Sequence, residues 1–374
     1  MTSVETRLTD VGAAVGSYAE YYDRTGLFPQ AGIDAVHAAG LLTSTVARRH
    51  GGKEIGPEET ARILYALGRG DPSVALISAM TMFVHAAEAR APKWPAELYA
   101  RIVAESAGAP TLLNAARVEP DLGSPARGGL PATTARRTPS GWAISGTKRF
   151  VTGAHGLSYF LVWARTDDGR VGTFVVDASS DGIEIVDNWN MLGLRASGSV
   201  DVHFSGVEVP VGDVIDLVDA SFGAQDNSAA ARLNTGLVAL YLGVGRAAQE
   251  EFHRFAHERV PANLGRPLAT TDRFRDLAGE IELLLTGAET LLFGAVADPD
   301  TAPTALLGAR VLAVRHLTSA VGLAVKSIGN PGLSQDNPLQ RHFRNVQSAS
   351  VHAPQEDTSI AIIGASALKS KGHP

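Results

Sequence analysis

Hydrophobic positions in the first third of the chain recur three and four residues apart. In "EETARILYALGRG", "SVALISAMTMFVHAAEA" and "PAELYARIVAESAG" they share one side of a 3.6-residue turn, with Gly and Pro between the runs, so the spacing predicts helices. The period changes near residue 111. From there to about residue 222 come short alternating runs, among them "GWAISGTKRFVTG", "YFLVWART", "GTFVVDA", "GIEIVDNW" and "VDVHFSGVEVP". Period-two alternation rich in β-branched and aromatic residues predicts a mostly antiparallel β-domain. After "FGAQDNSAA" the helical spacing returns in long pieces, at about 230 to 259, 271 to 297, 302 to 328, 337 to 351 and from about 358. Pieces of roughly 27 residues make helices about 40 Å long, and short Pro/Gly-containing loops between them suggest an antiparallel bundle. The expected fold class is α+β in the order α, β, α: an N-terminal helical domain over 1–111, a central β-domain over 112–222 and a C-terminal helical bundle over 223–374.

Composition narrows the function classes. A chain of 374 residues has room for two or three cooperating domains, since single cores stop growing near roughly 250 to 300 residues. A net charge of −6 with mixed signs gives no broad basic field, so nucleic acid and membrane surfaces are poor partners and a small-molecule substrate is the better expectation. The absence of cysteine excludes thiolate catalysis, disulfides and thiolate-bound metal. The N-terminus shows no basic start followed by an apolar run, and no uninterrupted apolar segment approaches the roughly 20 residues that span a bilayer. The expected compartment is the cytoplasm.

Two tempting motifs fail on context. "GVGRAA" at 243–248 fits a loose dinucleotide pattern but lies inside a continuous helical run with no strand before or after it, whereas a Rossmann turn needs both. Its small residues suit close helix packing instead. His253 and His257 share a helix face at metal-binding spacing, yet "HRFAH" lacks the zinc-protease glutamate and no third ligand is available. A solvated face is the simpler reading, and no metal site is expected.

Several phrases, taken in order, resemble the acyl-CoA dehydrogenase superfamily of flavoproteins. They are "HGGKEIGPEETARILYALGRGDPSVAL" (50–76), "VEPDLGSP" (118–125), "GTKRFVTGA" (146–154), "MLGLRASGSVDVHFSGVEVP" (191–210), "ERVPANLGRPL" (258–268) and "NPLQRHFRN" (337–345). Together they span nearly the whole chain in the α, β, α order that the periodicity predicts. The resemblance implies an oxidoreductase holding FAD or FMN between the β-domain and the bundle, in a homotetramer whose neighbouring subunit completes the site. It places Phe150, Val151 and Thr152 against the isoalloxazine ring, the aromatic by stacking and the threonine by hydrogen bonding. Ser124 falls in a Gly-containing turn suited to the flavin phosphate. Arg259 matches the family arginine that pairs with the FAD pyrophosphate, which tilts the cofactor toward FAD.

The catalytic position separates two reactions. Acyl-CoA dehydrogenases remove a substrate proton with a carboxylate nine residues after the arginine matched by Arg344, and here that position is Ala353, with His352 before it. Only a three-residue insertion makes Glu356 the base. Pro354 disfavours helix at Ala353, Asp357 or Thr358 is placed to cap the last helix, and Glu356 then reads as an acid at a helix N-terminus. The arginine that supports the CoA thioester in many dehydrogenases is replaced by Asn234, with Arg232 two residues away, and Val118 stands in place of a flavin-binding threonine. "RHFRNVQSASVH" resembles instead the flavin monooxygenases built on this fold, which accept reduced flavin from a separate reductase and react it with oxygen. In that branch His352 is expected to titrate near neutrality and move a proton, Thr152 to assist at the flavin, and His85 and Asn114 to line the substrate pocket. The alternatives are a dehydrogenase with Glu356 as base and a catalytically silent relative acting as a binding subunit.

Overall fold

The structure is a computed structural model that describes residues 4–121, 129–219 and 228–369. Among these described residues, six α-helices come first: α1 (Val4–Gly16), α2 (Ala19–Thr25), α3 (Gln30–Ala38), α4 (Pro57–Gly70), α5 (Pro72–Arg90) and α6 (Ala96–Glu105). Helix α5 is the central one. Asp71 caps it by accepting from the Ser73 amide at 2.8 Å, Pro72 supplies a preset φ at its first position, and buried residues occupy almost every face. Both α5 and the later helix Pro303–Ile328 are long and apolar enough to cross a bilayer, contrary to the sequence expectation, but both spend most of that surface inside the protein core.

Eight strands follow: β1 (Leu113–Ala116), β2 (Thr134–Arg137), β3 (Gly141–Val151), β4 (Tyr159–Thr166), β5 (Arg170–Asp177), β6 (Ile183–Val186), β7 (Val200–Pro210) and β8 (Val214–Asp219). Their order is β6-β7-β3-β2-β4-β5-β8, with β1 paired to β4. The sheet is antiparallel except where β4 runs parallel to β1 and β2, as the alternating pattern predicts for most of its length. Beneath it lies an ion pair. Lys148 donates to Glu119 at 2.6 Å and to the Trp163 carbonyl at 2.6 Å, and Glu119 also accepts from Thr133 and the Ala132 amide. Both side chains are almost wholly buried. Burial raises the Glu119 pKa, but Lys148, Thr133 and the Ala132 amide outweigh it and hold the carboxyl below its usual range. The "VEP" and "GTK" phrases thus meet across the sheet, and the Arg149 amide donating to the Val118 carbonyl at 2.9 Å fixes the same junction.

The remaining helices are α7 (Ser228–Gly236), α8 (Val238–Glu258), α9 (Asp272–Ala297), α10 (Pro303–Ile328), α11 (Pro338–Gln347) and α12 (Glu356–Ala367). Three boundaries differ from the periodicity. The first long piece is broken at Leu237. Helix α11 gives way at Ser348–Ser350 to a tighter 3₁₀ turn, because serine favours local backbone hydrogen bonding over helix continuation. Helix α12 begins at Glu356, and neither Asp357 nor Thr358 is its cap; Asp357 accepts from the Thr358 amide at 2.7 Å and from the Thr358 hydroxyl at 3.3 Å. The close helix packing expected of "GVGRAA" is present: a Cβ at Gly243 would collide with the Tyr65 carbonyl and the Arg69 backbone of α4. His253 and His257 are both exposed.

Candidate active site

One part of the site forms where β3 ends. The β3–β7 register shifts between Lys148 and Val151, and Phe150 adopts a left-handed φ of 54°. That conformation is strained for an aromatic residue and tends to occur where function requires it. Its result is an aromatic ring that is 49% exposed beside Val151 at 1% and Thr152 at 7%. Thr152 belongs to a row of hydroxyls, 3.0 Å from Ser199, which is 3.1 Å from Ser197. Beneath it Asn114 donates to the Thr152 carbonyl at 2.9 Å, and the Gly153 amide donates to the Ser197 carbonyl at 2.8 Å. If Ser199 donates to Thr152, the threonine keeps its own proton for a ligand. An exposed, strained aromatic next to an oriented hydroxyl suits the edge and face of a flavin ring.

The second part forms after α11. His352 Nδ1 lies 2.8 Å from the hydroxyl of Tyr241 on α8, a residue with 1% exposure. The buried guanidinium of Arg310 on α10 donates to three carbonyls, those of Asn234 and His352 at 2.9 Å and Pro354 at 3.3 Å. These bonds hold the turn that carries His352. Burial, and secondly the Arg310 charge, lower the imidazole pKa to about 4. His352 therefore does not titrate near neutrality, which corrects the sequence expectation. Tyr241 and Arg310 were missed there because the first looks like a member of a helical apolar run and the second like a helix-surface cation; only the fold places them at the histidine.

A shared contact links the two parts. Asn345 of α11 accepts from the Leu194 amide at 2.9 Å, and Arg344 binds Asp23 of α2 and the Leu192 carbonyl. From Leu194 the chain leads through a 3₁₀ turn to Ser197 and Ser199; from Asn345 it leads to His352.

The other expected residues lie apart. Glu356 starts α12 and pairs with Arg315 of α10 at 2.6 Å on a half-exposed surface. His85 is fully buried on α5, with Nδ1 3.0 Å from the Tyr99 hydroxyl and Nε2 without a partner among the described residues. It joins an aromatic cluster with Trp94 and His50 around Tyr99. Arg259 caps α8, exposed, and its guanidinium has no partner among the described residues. Arg232 is committed to the Pro299 carbonyl at 2.5 Å. Ser124 lies outside the described residues. A cleft of about 560 Å³ opens between α2, residues 191–195 and the start of α11, lined by Arg195, Arg341, Arg344, Asp23 and others. Neither the hydroxyl row nor His352 reaches it, and the specific contacts around those groups mark the site better than the cleft's size.

Three buried or part-buried histidines set a pH dependence. Burial lowers His85 and His352 to about 4 and His342 to about 3, from 6.5. A depressed histidine is protonated first in the unfolded chain, so the stability it confers is complete above pH 6.5 and drains away as pH falls toward 4. Asp71, raised by burial from 3.8 to about 6, gains stability over the same fall and offsets one proton. The expected outcome is a loss of up to ~3 kcal/mol per pH unit near pH 5, from about two net protons. Urea midpoints at pH 7, 6 and 5 check it; a flat profile would contradict it.

Models for the acyl-CoA dehydrogenase N-terminal, middle and C-terminal domains match residues 11–90, 115–207 and 235–356. YdbM of Bacillus subtilis (strain 168), named a putative acyl-CoA dehydrogenase, is 31% identical over 355 residues, covering 93% of this chain and 92% of its own. The chain belongs to the acyl-CoA dehydrogenase family. It is thereby a flavin-dependent oxidoreductase, with the helix, sheet, helix fold of that family. Among solved structures with this family fold, KijD3 in complex with FMN and a dTDP-linked amino sugar is 25% identical with a TM-score of 0.79, over 98% of this chain and 94% of that one. FMN-bound TdsC from Paenibacillus sp. A11-2 superposes with a TM-score of 0.85 at 20% identity, over 97% of this chain and 96% of that one.

Proposed function

We propose that this family member is a monooxygenase, taking reduced FMN or FAD from a separate reductase and using oxygen on a small organic substrate, as a homotetramer. The observation that carries this reading is the catalytic position. Ala353 stands where a dehydrogenase has its carboxylate, His352 beside it is locked to Tyr241, and the nearest glutamate, Glu356, is engaged by Arg315 on the surface. The FMN named in the KijD3 and TdsC structures supports the cofactor class.

Bound and reduced, the flavin would supply the electrons that activate oxygen. Phe150 would cover the isoalloxazine, Thr152 would donate its hydroxyl proton to it, and the main chain at 151–153, fixed by Asn114 and Ser197, would set its edge. Arg259, exposed and unpaired among the described residues, would reach the pyrophosphate of FAD in a neighbouring subunit. His352 would present a neutral imidazole to the substrate side, and His85 would remain a packing residue beside Tyr99.

A second reading, acyl-CoA desaturation with Glu356 as base, draws support from the name of the B. subtilis relative. Two exposures separate them. The FAD-loaded protein is expected to keep its yellow colour with a panel of acyl-CoAs under nitrogen, and the reduced-flavin form to react productively with oxygen. Bleaching by a thioester would favour the dehydrogenase.

A further inference from the structure

We propose that Tyr241 is a positioning residue that fixes the tautomer of His352, keeping the proton on Nε2 so that this nitrogen is a hydrogen-bond donor and not a base. The inference comes from counting donors and acceptors. The Tyr241 hydroxyl is buried, and His352 Nδ1 at 2.8 Å is its partner among the described residues. One proton lies between the two atoms. If the imidazole donated it, the phenolic proton would be left in the interior with no acceptor, and a buried unpaired donor is strongly disfavoured. The hydroxyl therefore donates, Nδ1 accepts, and a neutral ring must carry its proton on Nε2.

Burial and Arg310 keep the ring neutral, and burial keeps the phenol protonated against the opposing pull of the Arg310 charge. Arg310 places a buried positive charge beside both and donates only to carbonyls, with no carboxylate against it. The nearest glutamate along the chain, Glu356, starts α12 and is paired with Arg315. Burial also raises the Tyr241 pKa well above its ordinary value. The remaining ring nitrogen is available to a ligand. Nε2 of His352 has no partner among the described residues, yet it is not sealed in as are Nε2 of His85 and Nδ1 of His342.

In a reaction His352 would then donate a hydrogen bond from Nε2 to an oxygen of the substrate or of activated oxygen while keeping its proton; it would not withdraw one. That last role rests on the monooxygenase reading, whereas the tautomer does not.

The test is ¹⁵N magic-angle-spinning NMR of histidine-labelled full-length protein, with and without bound flavin, the His352 signals assigned by their loss in His352→Gln. The expected result is a neutral ring protonated on Nε2, dominant by at least about tenfold and unchanged from pH 6 to 8. Tyr241→Phe is expected to mix the two tautomers while a thermal melt shows the fold retained. A wild-type ring protonated on Nδ1, or a charged ring at pH 7, overturns the proposal even if the variant fails to fold. So does a folded Tyr241→Phe protein with an unchanged His352 spectrum. A protein with the expected tautomer that fails to use oxygen would overturn the functional reading and leave this assignment standing.

Discussion

Replacing His352 by alanine, with flavin still bound, is expected to lower turnover by roughly two to three orders of magnitude, the usual effect of removing one preorganised hydrogen-bond donor at the reacting atoms. Glu356→Gln is expected to leave turnover within about twofold, because the lost surface ion pair is worth only about 0–1 kcal/mol. The contrast follows from where the two side chains sit. Imidazole is held by Tyr241 on one nitrogen and its backbone carbonyl by Arg310, so its free nitrogen is aimed before substrate arrives; preorganisation of this kind is where catalytic hydrogen bonds gain their worth. Glu356 faces Arg315 instead. Flavin absorbance of each variant, taken before the assay, separates loss of chemistry from loss of cofactor. Activity lost with Glu356→Gln and retained with His352→Ala would move the catalytic group to the glutamate.

Lys148→Met is expected to destabilise the protein by about 3–5 kcal/mol, since it leaves Glu119 as a buried carboxylate without its cation. The lysine is 0% exposed and donates both to Glu119 and to the Trp163 carbonyl, so its removal leaves both acceptors without that donor. Combining Lys148→Met with Glu119→Gln is expected to regain part of the loss, because no lone charge remains while the glutamine oxygen still accepts from Thr133. Urea unfolding of the two variants measures this. A single variant within about 1 kcal/mol of the parent would show that the pair is not held charged in the interior. Flavin affinity should fall alongside stability, since Glu119 and the Val118 carbonyl are tied to Lys148 and Arg149 of β3, just ahead of Phe150 and Thr152.

Periodicity alone was enough for the order of helices and strands, because most of the helices bury a stripe, α5 being buried on almost every face, and most strands alternate faces. It erred where local chemistry competes with period: at Leu237, at the serines after α11, and at the start of α12. For the candidate site, local phrases nominated Phe150, Val151, Thr152, Asn114 and His352. What they hid was contact at a distance. Tyr241 lies 111 residues from His352, Arg310 looks like a helix-surface cation yet is 3% exposed, and Lys148 and Glu119, 29 residues apart, show no local sign of pairing. The low pKa of His352 was illegible for the same reason. Its environment is assembled from α8, α10 and the turn before α12, and burial cannot be read from the residues beside it in sequence.

The central claim, oxygen chemistry in place of thioester desaturation, is tested most directly by stopped-flow absorbance. Protein loaded with chemically reduced FMN or FAD is mixed with oxygenated buffer and followed across the flavin bands. The account predicts reoxidation in two phases, through a transient whose spectrum matches neither reduced nor oxidised flavin, slowed or lost in His352→Ala. Single-phase reoxidation indistinguishable from free flavin, together with bleaching of the oxidised protein by an acyl-CoA, would contradict it.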